Sequence, residues 1–165
     1  MKQLTILRHA KSSWDLPEME DIYRPLNARG VKNAYAIGDE LAIRGVFPDV
    51  VITSPAVRAM NTAIIISRKL DFPLERIESN QRLYEASVAD ILDVIASVEN
   101  SISHLMVVAH NPTLTMLINR MQKKPLDNLP TCGVYHLELD ISSWSEIYDA
   151  KGKVQFALFP KQLKK

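Results

Sequence analysis

"KQLTILRHAKSSWD", residues 2–15, is the stretch on which the fold turns. Its first part, "QLTILR" at 3–8, is almost continuously apolar, then meets an arginine and a histidine and breaks into a polar connection. A strand with no polar alternation has both faces covered, which is the habit of parallel strands inside α/β domains. Two further runs read the same way: "DVVITS" at 49–54 and "HLMVVAH" at 104–110.

Helical patterns fill the intervals. Residues 27–44 place Val31, Ala34, Tyr35, Gly38, Leu41 and Ala42 on one face. A second helix is predicted over 55–70, with Ser54 as its cap and Pro55 at the first helical position. "SVAD" at 87–90 opens a third, whose stripe is Val88, Ile91, Leu92, Ile95 and Val98. The fourth begins at "HNP", with Asn111 as cap, Pro112 next, and Leu114, Leu117, Ile118 and Met121 facing inward. The tail differs: "VYHLEL" at 134–139 and "VQFALF" at 154–159 alternate more, as antiparallel strands near an edge do. The expectation is an α/β three-layer sandwich: a mixed, mostly parallel sheet with helices on both faces, one domain over 1–165.

Composition narrows the function classes. The 165 residues are 47% hydrophobic and 24% charged, an ordinary globular balance. Lysine and arginine number 20 against 19 acids, a net charge of +1, so no general nucleic-acid partner is expected and any anion affinity must be local. The single cysteine, Cys132, excludes an internal disulfide framework and fits a reducing compartment. The densest apolar run, "TAIIIS" at 62–67, is too short to cross a bilayer, and the start lacks a secretory pattern. No membrane partner and a cytoplasmic location are therefore expected.

In parallel α/β sheets, ligands bind at the carboxyl ends of the strands. The first strand ends in Arg8 and His9, and the second runs into "TSPAVR", with Arg58 in the first turn of the next helix. The third ends in "AHNPT", with His110 before another helix start. Taken singly, each is a solvated rim charge, a capped helix start or a turn. Together they predict one phosphate-sized cationic pocket, to which helix N-termini add anion affinity.

"LRHAKS", "SPAVRAMNTA" and "VVAHNP" resemble the signature segments of the histidine phosphatase superfamily. The short chain and "RHAKSSWD" are most similar to its SixA-type phosphohistidine phosphatases, and "RPLNARG" at 24–30 resembles the segment leading into that family's first helix. The resemblance runs from about residue 4 to residue 115 and implies a phosphoglycerate mutase-like sandwich. It implies His9 as the nucleophile that accepts a phosphoryl group, with Arg8, Arg58 and His110 holding the phosphate oxygens. The chemistry agrees: a histidine attacks only as neutral imidazole, and nearby arginines disfavour its protonated form. Guanidinium forks match phosphate oxygens in pairs. Phosphoryl transfer needs chiefly alignment and charge stabilisation, so no metal and no cofactor are expected.

Other residues keep two readings. Glu85 falls where many superfamily members place a proton-donating acid; the alternative is a plain carboxylate near the helix start at Ser87. Labile phosphohistidine needs such an acid less than a phosphoester does. Lys11 and Ser12 are close enough in sequence to touch the phosphate, or are solvated loop positions. The loop of residues 10–26 is long enough to be functional: Trp14 lines a substrate wall or packs on a helix, and "EMED" at 18–21 is a solvated acidic patch or steers a basic partner. His104 and His136 read as structural, and the terminal "KQLKK" as a frayed tail. Without a cap insertion, an open pocket suits a phosphohistidine-bearing protein as partner. A small phosphoester substrate, or a phosphate-recognition module without turnover, remains the alternative.

Overall fold

Strand β1 (Lys2–Arg8) is the hub of a six-stranded sheet. It pairs in parallel with β4 (His104–Ala109), which pairs in parallel with β2 (Val50–Thr53), which pairs in parallel with β3 (Ile77–Ser79). On its other side β1 runs antiparallel to β5 (Val134–Leu139), and β5 to the edge strand β6 (Gly152–Leu158). The order is β3-β2-β4-β1-β5-β6 in this computed structural model, which describes residues 1–163. The last two residues of "KQLKK" lie outside the described residues, and the first three belong to the 3-10 turn Pro160–Leu163 rather than to a frayed tail.

The alternation of side chains along each strand divides the core in two. Leu4, Ile6, Leu105, Val107 and Ala109 face a layer formed by α3 (Val88–Ala96), α4 (Thr113–Met121) and the 3-10 turn carrying Trp144. Leu7, Val51, Met106 and Val108 face α1 (Ala28–Ile43) and α2 (Val57–Lys69). The expected three-layer α/β sandwich is therefore the observed one, and the tail strands are antiparallel as read. No helix among the described residues is long and apolar enough to cross a membrane.

Three details differ from the sequence reading. The buried stripe of α1 is Gly30, Ala34, Ile37, Gly38 and Leu41, while Val31, Tyr35 and Ala42 lie outward. The helices after β2 and β4 begin later than the Ser-Pro and Asn-Pro pairs suggested. Ser54 Oγ accepts from Ala56 N–H at 3.2 Å, and Asn111 Oδ1 accepts from Thr115 N–H at 3.1 Å, so both side chains brace the turns leading into α2 and α4. Strand β3, three residues long at the sheet edge, had no apolar run to announce it.

Candidate active site

The strand register assembles the site. Arg8 is level with Ala109, and Thr53 with Val108, so the chain leaves three neighbouring strands at one end of the sheet. His9, Ser54 and His110 are the residues that follow. A cleft of about 420 Å³ opens there, lined by Arg8, His9, Arg58 and His110 among others. The four residues read from separate segments do share one cavity.

His9 is buried, and its Nδ1 lies 2.7 Å from the Ala10 carbonyl. A carbonyl oxygen only accepts, so Nδ1 carries the proton and Nε2 keeps its lone pair. Burial above all, then the neighbouring His110, Arg58 and Arg8, outweigh that hydrogen bond and lower the His9 pKa from 6.5 to about 3. The loop is pinned from both sides: Ala10 N–H donates to Thr62 Oγ1 at 2.9 Å, and Cys132 N–H to the His9 carbonyl at 3.0 Å. The His110 ring stands 5.0 Å from that of His9 between centroids, with its Nε2 2.8 Å from Ser54 Oγ. Burial first, then Arg58 and Arg8 acting against Asp21, bring His110 down to about 4. Both rings are neutral near pH 7.

Arg8 donates from Nη1 to the Leu129 carbonyl at 2.9 Å, and Asn111 Nδ2 donates to the same oxygen at 2.9 Å. The segment ahead of β5 is thereby held beside the cleft, where Thr131 lines it. The Nε atoms of Arg8 and of Arg58 are both buried without a hydrogen-bond partner. An unpaired buried donor of this kind costs on the order of 1–3 kcal/mol, a cost that a hydrogen-bond acceptor brought to it would relieve.

Across the cleft stands the connection after β1. Arg24 is nearly buried; its Nη1 donates to Ser12 Oγ at 2.7 Å and its guanidinium lies 3.5 Å from the Trp14 ring centroid. Asp21 accepts from Arg58, from Arg24 and from the Tyr84 hydroxyl, the last at 2.6 Å. Partial burial works to raise the Asp21 carboxyl, but the bonds from Tyr84, Arg58 and Arg24 prevail and hold it at about 2. Burial and Asp21 push Tyr84 up to about 12. Neither donates a proton readily near neutral pH.

Of the sequence candidates with two readings, Lys11 lines the cleft from an exposed position and Ser12 lines it while accepting from Arg24. Trp14 is a wall residue, 72% exposed, not a helix-packing one. Glu85 lines the cleft with an exposed side chain on left-handed backbone, φ 54°. "EMED" is a solvated patch only in part, because Asp21 belongs to the site. His104 and His136 lie apart from the cleft, joined through Thr5. Asp21, Arg24, Tyr84, Ser54, Asn111 and Thr131 were not read as site residues. For Arg24 a signal existed: an arginine leading "RPLNARG", within the resemblance.

The family model described as histidine phosphatase superfamily (branch 1) matches residues 4–94, more than half of the 165. This chain belongs to the histidine phosphatase superfamily. Among solved structures, its fold matches a phosphohistidine phosphatase SixA, so named, from Agrobacterium tumefaciens, with a TM-score of 0.83 and 27% identity over 96% of this chain and 98% of that one. A protein histidine phosphatase SixA complexed with tungstate gives a TM-score of 0.83 at 21% identity, over 98% of this chain and 99% of the other, a likeness of fold. In sequence, an uncharacterized protein of Mycobacterium tuberculosis is 34% identical over 112 residues, which is 67% of this chain and 66% of the relative. Superfamily membership and SixA-like neighbours support a phosphatase. In this histidine phosphatase cleft, a neutral imidazole with a free nitrogen faces two guanidinium groups with unspent donors, which suits attack on a phosphoryl group.

Proposed function

We propose that the chain is a phosphatase that takes a phosphoryl group onto Nε2 of His9 and then passes it to water, and that its substrate class is phosphohistidine carried by a protein. The observation that carries this reading is the buried His9 ring, fixed as the Nδ1–H tautomer by the Ala10 carbonyl. Arg8 and Arg58 line the same cleft, and each keeps a buried Nε donor without a partner.

In the first step the Nε2 lone pair of His9 attacks phosphorus and the bond from phosphorus to the substrate's imidazole nitrogen breaks. The departing nitrogen takes a proton from solvent. In the second step water attacks phosphorus, the bond to Nε2 breaks, and inorganic phosphate leaves with His9 neutral again. Arg8, Arg58 and His110 bind the equatorial oxygens and stabilise their charge, with Lys11 and Ser12 at the rim of the same cleft. The positive charges of Arg8, Arg58 and Lys11 supply the electrostatic role a metal ion plays elsewhere, so the reading assigns no metal and no cofactor. That a fold relative is described in complex with tungstate, a tetrahedral oxyanion, agrees with it. Residues 1–165 serve as one histidine phosphatase domain in this reading, acting on a protein partner in the cytoplasm.

Glu85 favours a second reading, turnover of small phosphoesters. Its left-handed backbone beside the cleft is the kind of strained placement that marks functional positions, and an alkoxide leaving group needs the proton it could give. The test is a comparison of specificity constants on a phosphorylated histidine-transfer protein and on a panel of phosphoesters, for the native chain, Glu85→Gln and His9→Ala. An acid-labile, alkali-stable phosphoenzyme that vanishes in His9→Ala, with phosphohistidine turnover indifferent to Glu85→Gln, is expected. Hydrolysis no faster than the His9→Ala control on every substrate would refute both readings.

A further inference from the structure

Arg58 spends its guanidinium unevenly. Its Nη1 donates to the backbone carbonyl of Asp21 at 2.7 Å and its Nη2 to the Asp21 carboxylate, Oδ2, at 2.9 Å. Both terminal nitrogens are thus turned toward one residue, while Nε is buried and unpaired. A guanidinium offers an anion one edge built from its two Nη atoms and another built from Nε and one Nη. With the first edge held by Asp21, the edge left for an incoming oxyanion is the one that contains Nε.

Asp21 is itself fixed rather than free to swing. Tyr84 donates to Oδ2 at 2.6 Å and Arg24 Nε to Oδ1 at 3.2 Å, and Arg24 is tied to Ser12. The carboxylate also changes the charge of the cleft. Arg8, Lys11, Arg24 and Arg58 line it against Asp21 and Glu85, so Asp21 is one of two anions moderating four cations. A site that binds a phosphoryl group must also let inorganic phosphate go, and a cleft of unmoderated arginines holds the product as firmly as the substrate.

Building on the phosphatase reading above, we propose that Asp21 is a positioning residue that acts through Arg58. It presents the Nε edge of Arg58 to the phosphoryl oxygens and, by its negative charge, weakens the site's hold on product phosphate. A residue that only latched the loop of residues 10–26 would affect stability and leave phosphate affinity unmoved.

The test measures inhibition by inorganic phosphate, with an aryl phosphate as substrate, in the native chain, Asp21→Asn and Asp21→Glu. Asparagine keeps an oxygen toward Arg58 but removes the charge. Its phosphate inhibition constant and KM are expected to fall together, by about tenfold for the loss of one partly solvated like charge. Asp21→Glu, which restores the charge, should return both toward the native values. An inhibition constant in Asp21→Asn that is unchanged or weaker overturns the proposal, whatever its melting temperature does. On the native protein, the Arg58 Nε–H resonance, identified by its absence in Arg58→Lys, should shift on adding phosphate. This measurement decides the matter if Asp21→Asn does not fold, and no shift overturns the proposal. A native chain that neither binds phosphate nor hydrolyses the aryl ester sinks the phosphatase reading itself, and this proposal with it. Binding and turnover with no Asp21 effect sink only this proposal.

Discussion

Acid should weaken this fold well before carboxylates protonate, and His104 gives the cleanest measure. Thr5 Oγ1, in the central strand β1, lies 2.7 Å from His104 Nε2 and 2.8 Å from His136 Nδ1, and the two rings sit 5.1 Å apart. Burial, then the neighbouring His136, outweigh the pull of Asp49 and of the Phe47 backbone and lower His104 from 6.5 to about 4. His136 is lowered as well, by burial acting against Glu138. A base with a depressed folded pKa is neutral in the native state and takes up its proton on unfolding. Its contribution is therefore complete above the unfolded value of 6.5 and is lost as pH falls toward about 4. For His104 alone, linkage gives a loss of about 2 kcal/mol between roughly pH 7 and roughly pH 5. His104→Gln removes the titration while keeping a polar group beside Thr5. Urea unfolding of both proteins at those two pH values should show the variant losing about 2 kcal/mol less than the native chain on acidification. Equal acid losses in the two proteins would show that His104 titrates normally in the fold, and the reasoning about its burial would be wrong.

Two further outcomes follow from the site. At Gly30 an added Cβ would stand 2.1 Å from the Lys11 carbonyl oxygen, a backbone atom. Gly30→Ala must then displace the connection that carries Lys11 and Ser12, with an expected destabilisation of about 1–3 kcal/mol and a lower kcat/KM in the molecules that remain folded; native stability and activity in that variant would contradict the packing described. His9, held at about 3, should show no ring titration in ¹⁵N spectra between about pH 5 and pH 8. A midpoint near 6.5 would mean that the ring is hydrated and not preset for attack.

How much of this was written in the sequence depends on the range over which each feature is determined. Strands β1, β2 and β4 were legible because burial on both faces leaves an unbroken apolar run, a signal contained within each strand. The four residues at their ends were legible for the same reason: topology puts parallel strand ends together, so separate motifs converge. The face of α1 was legible in part: Ala34, Gly38 and Leu41 lie inside as the spacing predicts, but Val31, Tyr35 and Ala42 turn outward and Gly30 and Ile37 complete the buried stripe. Gly30 and Gly38 pack against Lys11 and Lys69, close approaches between segments that helical periodicity does not encode. Strand β3 is a three-residue edge, half buried at most, and carries too little pattern to be seen. Asp21 was the least visible of all. Its partners Arg58 and Tyr84 lie 37 and 63 residues away, and within "EMED" it has the same local chemistry as Glu18 and Glu20 and is exposed as they are. No periodicity separates one acid of that run from the next; only the folded path of the loop of residues 10–26 does, by setting Asp21 against a guanidinium whose own place is fixed by α2. Local pattern thus yields the scaffold and the groups it holds directly, while the groups that tune them are specified by contacts between segments.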